Sequence, residues 1–125
     1  MPYLLDTNIC SAMIRGTAPH MAVPDWSAMA ISAVTAHELE FWAVATGPNR
    51  QERVHIFLSK VEIRAFDASA AAHAAKVRAA LRAQSLSALD ALIAGHALAL
   101  GYILVTADKD FKRVPGLRTE NWLKV

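Results

Sequence analysis

Tyr3-Leu4-Leu5-Asp6-Thr7-Asn8 and Tyr102-Ile103-Leu104-Val105-Thr106-Ala107-Asp108-Lys109-Asp110 share one pattern, a short apolar run that stops at aspartate and polar residues. Such a run, bounded by turn signals, reads as a buried strand. Asp6 and Asp108 then sit at the carboxyl ends of two core strands about a hundred residues apart. In open α/β sheets the ligand crevice lies outside those ends. Carboxylates meeting there repel each other unless something positive sits between them, so the pair points to a metal site.

Between the two runs the order is strand then helix, several times over, which predicts an α/β fold with a parallel sheet sandwiched between helices. After the first strand, Thr7 or Asn8 is expected to cap a short helix to Ile14, with Gly16 as its stop. His20 to Ser27 reads as a loop or poor helix between the breakers Pro19 and Pro24. Ala30–Val34 reads as a second strand, and Thr35 opens a helix to about Thr46. Arg50 to Lys60 puts Val54, Phe57 and Leu58 on one helical face. Val61–Phe66 reads as the third strand, and Asp67 or Ser69 caps an Ala-rich helix carrying His73, Lys76, Arg78 and Arg82. Ser87 caps a helix from Ala88 to Leu100 that is apolar nearly all round, hence central, and Gly101 ends it. Thr119–Trp122 reads as an edge strand.

Two further acids join the strand-end pair. Glu38 lies three residues after Thr35, and Asp90 three after Ser87. Each spacing is that of a capping box, which is a sufficient structural reason for either acid alone. A first-turn acid also lies at the mouth where parallel strands end, so Asp6, Glu38, Asp90 and Asp108 are expected on one rim. Hard cations such as Mg²⁺ and Mn²⁺ take carboxylate and water oxygens, and a metal-bound water can attack phosphorus in line. Thr7, Asn8 and Thr106 flank the rim as supporting hydrogen-bonding groups. Asp110 competes with Asp108 for the fourth corner. Glu40 is turned about 200° from Glu38 on a helix and falls outside the set.

Length and composition fit this reading. The 125 residues read as one domain, 1–125, with 54% hydrophobic and 19% charged residues, which excludes a disordered chain. The Ala- and Leu-rich excess calls for a doubly covered sheet or a partner subunit. The net charge is +2; with four of eleven acids gathered at one site, thirteen Lys and Arg leave +6 on the rest of the surface. A basic surface around an acidic centre suits a polyanion. Arg15, Lys109, Lys112 and Arg113 are the candidate phosphate contacts. The lone Cys10 forms no internal disulfide and matches no zinc pattern, which fits a reducing, cytoplasmic setting. Pro2 and Asp6 interrupt any signal-peptide pattern, and the apolar window Ala91 to Val105 is broken by Gly95, His96 and Gly101, so no membrane segment is expected. No HExxH or Cys/His spacing accompanies His37, His55, His73 or His96. Trp26, Trp42 and Trp122 read as core or interface anchors.

Taken together, these residues resemble the PIN-domain ribonucleases and, within them, the VapC-like toxins of toxin–antitoxin pairs. The likeness lies in Leu5-Asp6-Thr7-Asn8-Ile9, Ile31-Ser32 with His37-Glu38-Leu39-Glu40, and Asp90-Ala91-Leu92-Ile93-Ala94 with His96-Ala97-Leu98. It continues through Leu104 to Phe111 and Val114-Pro115-Gly116-Leu117 with Glu120-Asn121-Trp122. Many relatives have glycine where Trp42 stands and Pro-Ile-Gly where this chain has Ser85-Leu86-Ser87. The resemblance implies a three-layer αβα sandwich around a parallel sheet of about five strands, and Mg²⁺- or Mn²⁺-dependent cleavage of RNA. It implies Asp6, Glu38, Asp90 and Asp108 as catalytic acids, with Asp6, Asp90 and Asp108 on the metal and Asp110 as the alternative to Asp108. It further implies a homodimer held inactive by a small antitoxin. Two other readings compete: a non-catalytic RNA- or partner-binding module on the same scaffold, and a phospho-receiver domain with Asp67 as acceptor. Phosphatases of the haloacid dehalogenase type are disfavoured because Asn8 replaces the second aspartate of their opening motif.

Overall fold

A computed structural model describes residues 2–17 and 24–123; the expected loop at Pro19 and His20 lies outside them. Five strands, β1 (Tyr3–Leu5), β2 (Met29–Ser32), β3 (Glu62–Arg64), β4 (Ile103–Val105) and β5 (Thr119–Glu120), form one sheet in the order β3-β2-β1-β4-β5. Every pairing is parallel, with Leu4 opposite Ala30 and Leu104, and Leu5 opposite Val105. The expected α/β sandwich with about five parallel strands is the observed one.

Period-two alternation sends adjacent strand residues to opposite faces, and the core divides accordingly. Leu5, Met29, Ile31 and Val105 face α1 (Thr7–Arg15), α2 (Ala33–Thr46) and α3 (Pro48–Lys60), meeting Ile9, Leu39, Val54 and Phe57. Leu4, Ala30 and Leu104 face the other way, toward α4 (Ala68–Ala80) and α5 (Ala88–Leu100), meeting Val77, Ile93, Ala94 and Ala97. Both faces of the sheet are therefore covered, as near-continuous apolar strands require.

β1 is central, with β2 and β3 added on one side and β4 and β5 on the other. The direction of winding thus reverses between β1 and β4, and a crevice opens where their carboxyl ends diverge. That places the runs ending in Asp6 and Asp108 side by side.

α4 and α5 form an antiparallel pair. A Cβ built on Gly95 would lie 2.3 Å from the Ala74 Cα, so the two helices touch backbone to backbone there. The residues joining them, 81–87, bring the start of α5 to the carboxyl rim of the sheet. Nearby, the buried His96 ring meets Phe66 edge-on at 5.3 Å. Burial lowers its pKa, opposed by Asp67 and assisted by Arg64, so the imidazole is held neutral. No helix among the described residues is long and apolar enough to cross a membrane.

Several boundaries differ from expectation: the edge strand ends at Glu120 and not at Trp122, α3 begins at Pro48 and not at Arg50, and three more shift at the caps. α1 is capped by Asp6, whose carboxylate accepts the Ile9 amide at 2.9 Å, and not by Thr7 or Asn8. β2 stops at Ser32, which caps α2 through the Val34 amide; Ala33 and Val34 are helical, so Thr35 is not the cap. β3 is confined to Glu62–Arg64, because the chain leaves the sheet edge to reach α4, which Asp67 caps through the Ala70 amide. Asp67 is thereby engaged as a helix cap. At α5 both expected ends hold, with Ser87 capping and Gly101 closing in the left-handed conformation at φ 71°.

Candidate active site

Asp6 is fixed twice at the end of β1. Its amide donates to Val105 O at 3.0 Å, stitching it to β4, and its Oδ1 holds the first turn of α1. The residue is only 5% exposed. Burial raises the pKa of its carboxyl, and the neighbouring Asp90 and Asp108 charges raise it further; the Thr106 hydroxyl and the Ile9 amide pull it down. Beside it Cys10 is fully buried, and burial together with the Asp6 carboxylate pushes the thiol well up. Cys10 is accordingly neither a thiolate nucleophile nor a soft metal ligand.

Asp90 is the third residue of α5. Its amide donates to the capping Ser87 Oγ at 3.1 Å, which realises one half of the expected capping box. Its half-buried carboxyl also lies above the ordinary value. Desolvation is the largest cause, followed by the charges of Asp108, Asp110 and Glu38, with Ser87 acting in the opposite direction.

Glu38 departs from the capping-box reading. With Ser32 as cap it lies in the second turn of α2, half-buried, and its charge is among those that raise the Asp90 pKa. Glu40 points elsewhere and meets His55 Nε2 at 2.9 Å, as the 200° turn requires.

At the end of β4 the buried Thr106 accepts the Asp108 amide at 3.0 Å, which fixes the turn. Asp108 then caps a short 3₁₀ turn, Lys109–Arg113, through the Asp110 amide at 2.9 Å. Asp110 is paired with Arg113 at 3.1 Å. The two acids are thus distinguished. Asp108 couples electrostatically to both Asp6 and Asp90, whereas Asp110 couples to Asp90 alone and has its own cation.

Lys109 and Lys112 line a cavity of about 370 Å³ next to Asp108, together with Thr106, Thr119 and Asn121. Arg15 is different: it ends α1, about 12 Å of helix axis from Thr7, with its Nε on Ser11 O. The fold carries it away from the acids.

Sequence reasoning missed two features. The first is the double duty of Asp6 as acid and cap; the signal was present, since aspartate is among the preferred N-cap residues. The second is Thr35, expected only as a helix cap, which joins the already expected Thr7. Thr7 Oγ1 and Thr35 Oγ1 are buried with no hydrogen-bond partner among the described residues. Thr7 adjoins Asp6, and Thr35 lies one helical turn before Glu38 on the same face of α2. Such groups incur a desolvation cost until something polar reaches them.

A divalent cation fits this donor set. The converging groups are hard oxygens, with no thiolate or charged imidazole among them, and Asp6 and Asp90 are held above their ordinary pKa by burial and, further, by neighbouring acids. A cation would relieve both burial and repulsion. Among the described residues no three His, Cys, Asp or Glu side chains form a ready-made cage. Mg²⁺ requires none, because it keeps several waters, through which part of a carboxylate set can hold it.

Comparison with known proteins agrees with this geometry. The PIN-domain family model matches residues 3–117. A protein of Shigella flexneri named tRNA(fMet)-specific endonuclease VapC is 37% identical, the match spanning 98% of each chain. Ribonuclease VapC2 of Rickettsia felis is 34% identical over 99% of this chain and 100% of its own. The structure of VapBC2 from Rickettsia felis bound to a DNA fragment from its promoter contains a chain that superposes with a TM-score of 0.84 at 33% identity, covering 98% of this chain and 99% of that one. DNA-bound VapBC from Salmonella typhimurium gives 0.80 at 31% identity, covering 98% of each. An acid-lined crevice at the winding reversal of a parallel sheet and full-length likeness to these proteins agree: the chain belongs to the PIN-domain family, among its VapC members.

Proposed function

We propose that this chain is a divalent-metal-dependent endoribonuclease, the toxin of a toxin–antitoxin pair. The observation that carries the reading is the gathering of Asp6, Asp90 and Asp108 from three separate elements at the carboxyl ends of β1 and β4 and the start of α5. Asp6 and Asp90 are both held above their ordinary pKa, first by burial and further by neighbouring acids that include Asp108 in each case.

In this reading Asp6, Asp90 and Asp108 hold Mg²⁺ or Mn²⁺, and Glu38 is the fourth acid. When bound, the ion supplies Lewis acidity and a water of lowered pKa for attack on a phosphodiester. Glu38, not tied to a cap, would serve as the proton acceptor at this rim. Thr106 fixes Asp108 through its amide, and Thr7 offers its unpartnered hydroxyl to the same crevice. Asn8, exposed on the first turn of α1, supports from outside. Asp110 positions Arg113, and Lys109 and Lys112 meet the substrate phosphates.

The partners follow the relatives, two of which are solved as VapBC assemblies on DNA. A cognate antitoxin and a second copy of the chain are the expected partners, in the cytoplasm. The exposed Phe41 and Val44 on the outer side of α2 are apolar surface that such partners would cover. Since one relative is named for tRNA(fMet), a tRNA is the first substrate to try.

Asp6→Asn and Asp90→Asn test the reading. Each should lower RNA cleavage by at least about 100-fold, the scale of losing a group that positions or activates water, while circular dichroism shows the fold retained. Undiminished cleavage in both variants would overturn it.

A further inference from the structure

The tip of the α4–α5 pair holds a second cavity, of about 480 Å³, that the acid crevice does not include. Its floor is apolar, formed by Leu81, Leu86, Ala88 and Ala91, and its walls carry Arg78 and Arg82. Both arginines are exposed. The ion pairs among the described residues engage Glu40, Glu62 and Asp110, so neither guanidinium has a carboxylate partner there. No acidic side chain lines the cavity.

Its position relates it to the acids. Ala88 and Ala91 flank Asp90 on the first turns of α5. The same tip is tied to the 3₁₀ turn after Asp108, where Arg113 Nη1 meets Ser85 Oγ at 3.4 Å. The cavity therefore lies on another face of the first turn of α5 from Asp90, and the Ser85–Arg113 contact connects its tip to the turn that bears Asp108 and Asp110.

The geometry points to a subsite for one unpaired nucleotide of the RNA strand, outside the cleaved linkage. An apolar floor with two unpaired guanidinium groups matches both parts of a nucleotide. The base or ribose covers the floor, the phosphate meets the charge, and arginine planes are stacking surfaces for splayed-out bases in single-stranded RNA. The volume lies in the range of small-molecule sites. Arg78 and Arg82 are thereby binding residues for substrate. This assignment rests on the reading of the rim as a nuclease site and names the strand that the site grips.

The test separates binding from turnover. A fluorescently labelled single-stranded RNA is titrated against Asp90→Asn protein, with and without Arg78→Ala and Arg82→Ala together, by anisotropy over a range of salt. The double alanine variant should bind about 10-fold more weakly and lose about 0.7 from the slope of log affinity against log salt, the value for one phosphate contact on a single strand. Replacing both by lysine should restore the salt slope. Unchanged affinity and slope in the alanine pair, with the melting temperature also unchanged, would overturn the assignment; an acidic peptide that binds this tip more tightly than RNA would do the same. If the pocket binds RNA but wild-type protein cleaves none, the nuclease reading fails and this one stands.

Discussion

Asp6 carries two demands that pull in different directions. As a helix cap it must accept a hydrogen bond, which asparagine does as well as aspartate. As a buried carboxylate it bears a charge that its surroundings disfavour. Asp6→Asn should therefore keep the fold and stabilise the metal-free protein at neutral pH, whereas Asp6→Ala should destabilise it by about 1 kcal/mol through loss of the cap. The pH dependence has a defined sign. The folded pKa of Asp6 lies above the ordinary 3.8, so the contribution to stability is fully present below that value and is lost as pH rises through the raised one. Urea midpoints measured from about pH 4 to about pH 7 should fall more steeply for wild type than for Asp6→Asn in chelator; parallel curves would refute the assigned burial. At the other end of the crevice, Asp108→Asn should impair cleavage more than Asp110→Asn, because Asp108 alone couples to both Asp6 and Asp90. Equal or reversed losses in a kcat comparison would exchange the two acids.

Elements set the site by their ends. α5 delivers Asp90 because Ser87 caps it and because Gly95 lets α4 lie against it. Ser87→Ala should cost about 1 kcal/mol and also lower cleavage, since the turn bearing Asp90 loses its anchor. Gly95→Ala places a methyl inside the Ala74 backbone and should cost about 1–3 kcal/mol or more, read from urea unfolding. A neutral Gly95→Ala would show that α4 and α5 stand farther apart. These two residues differ in how far the sequence announces them. The Ser87 to Asp90 spacing is a local signal, legible from the chain alone. Gly95 reads only as a break in an apolar run, because its reason lies on another helix. Likewise, Val34 reads as strand by its β-branching, yet the Ser32 hydroxyl takes its amide and begins α2 there. Glu38 moved from cap to free acid by that shift.

At the scale of the molecule, the five parallel strands and two-sided cover were legible because apolar runs ending in aspartate leave few alternatives. The strand order was not. No residue states that β3 and β5 are the edges, although the reversal between β1 and β4 is what brings Asp6 to Asp108. The distinction between Arg15 and Lys109 was equally hidden, since both lie near acids in sequence and only α1's direction separates them. What the fold assembles is a set of neighbouring carboxylates that runs from the buried Asp6 through the half-buried Glu38 and Asp90 to the exposed Asp108. The most direct measurement is RNA cleavage by wild-type protein in chelator and then across added Mg²⁺. Cleavage should be absent in chelator and rise with Mg²⁺ to saturation, and Asp90→Asn should stay inactive throughout. Cleavage that persists undiminished in chelator would contradict the account.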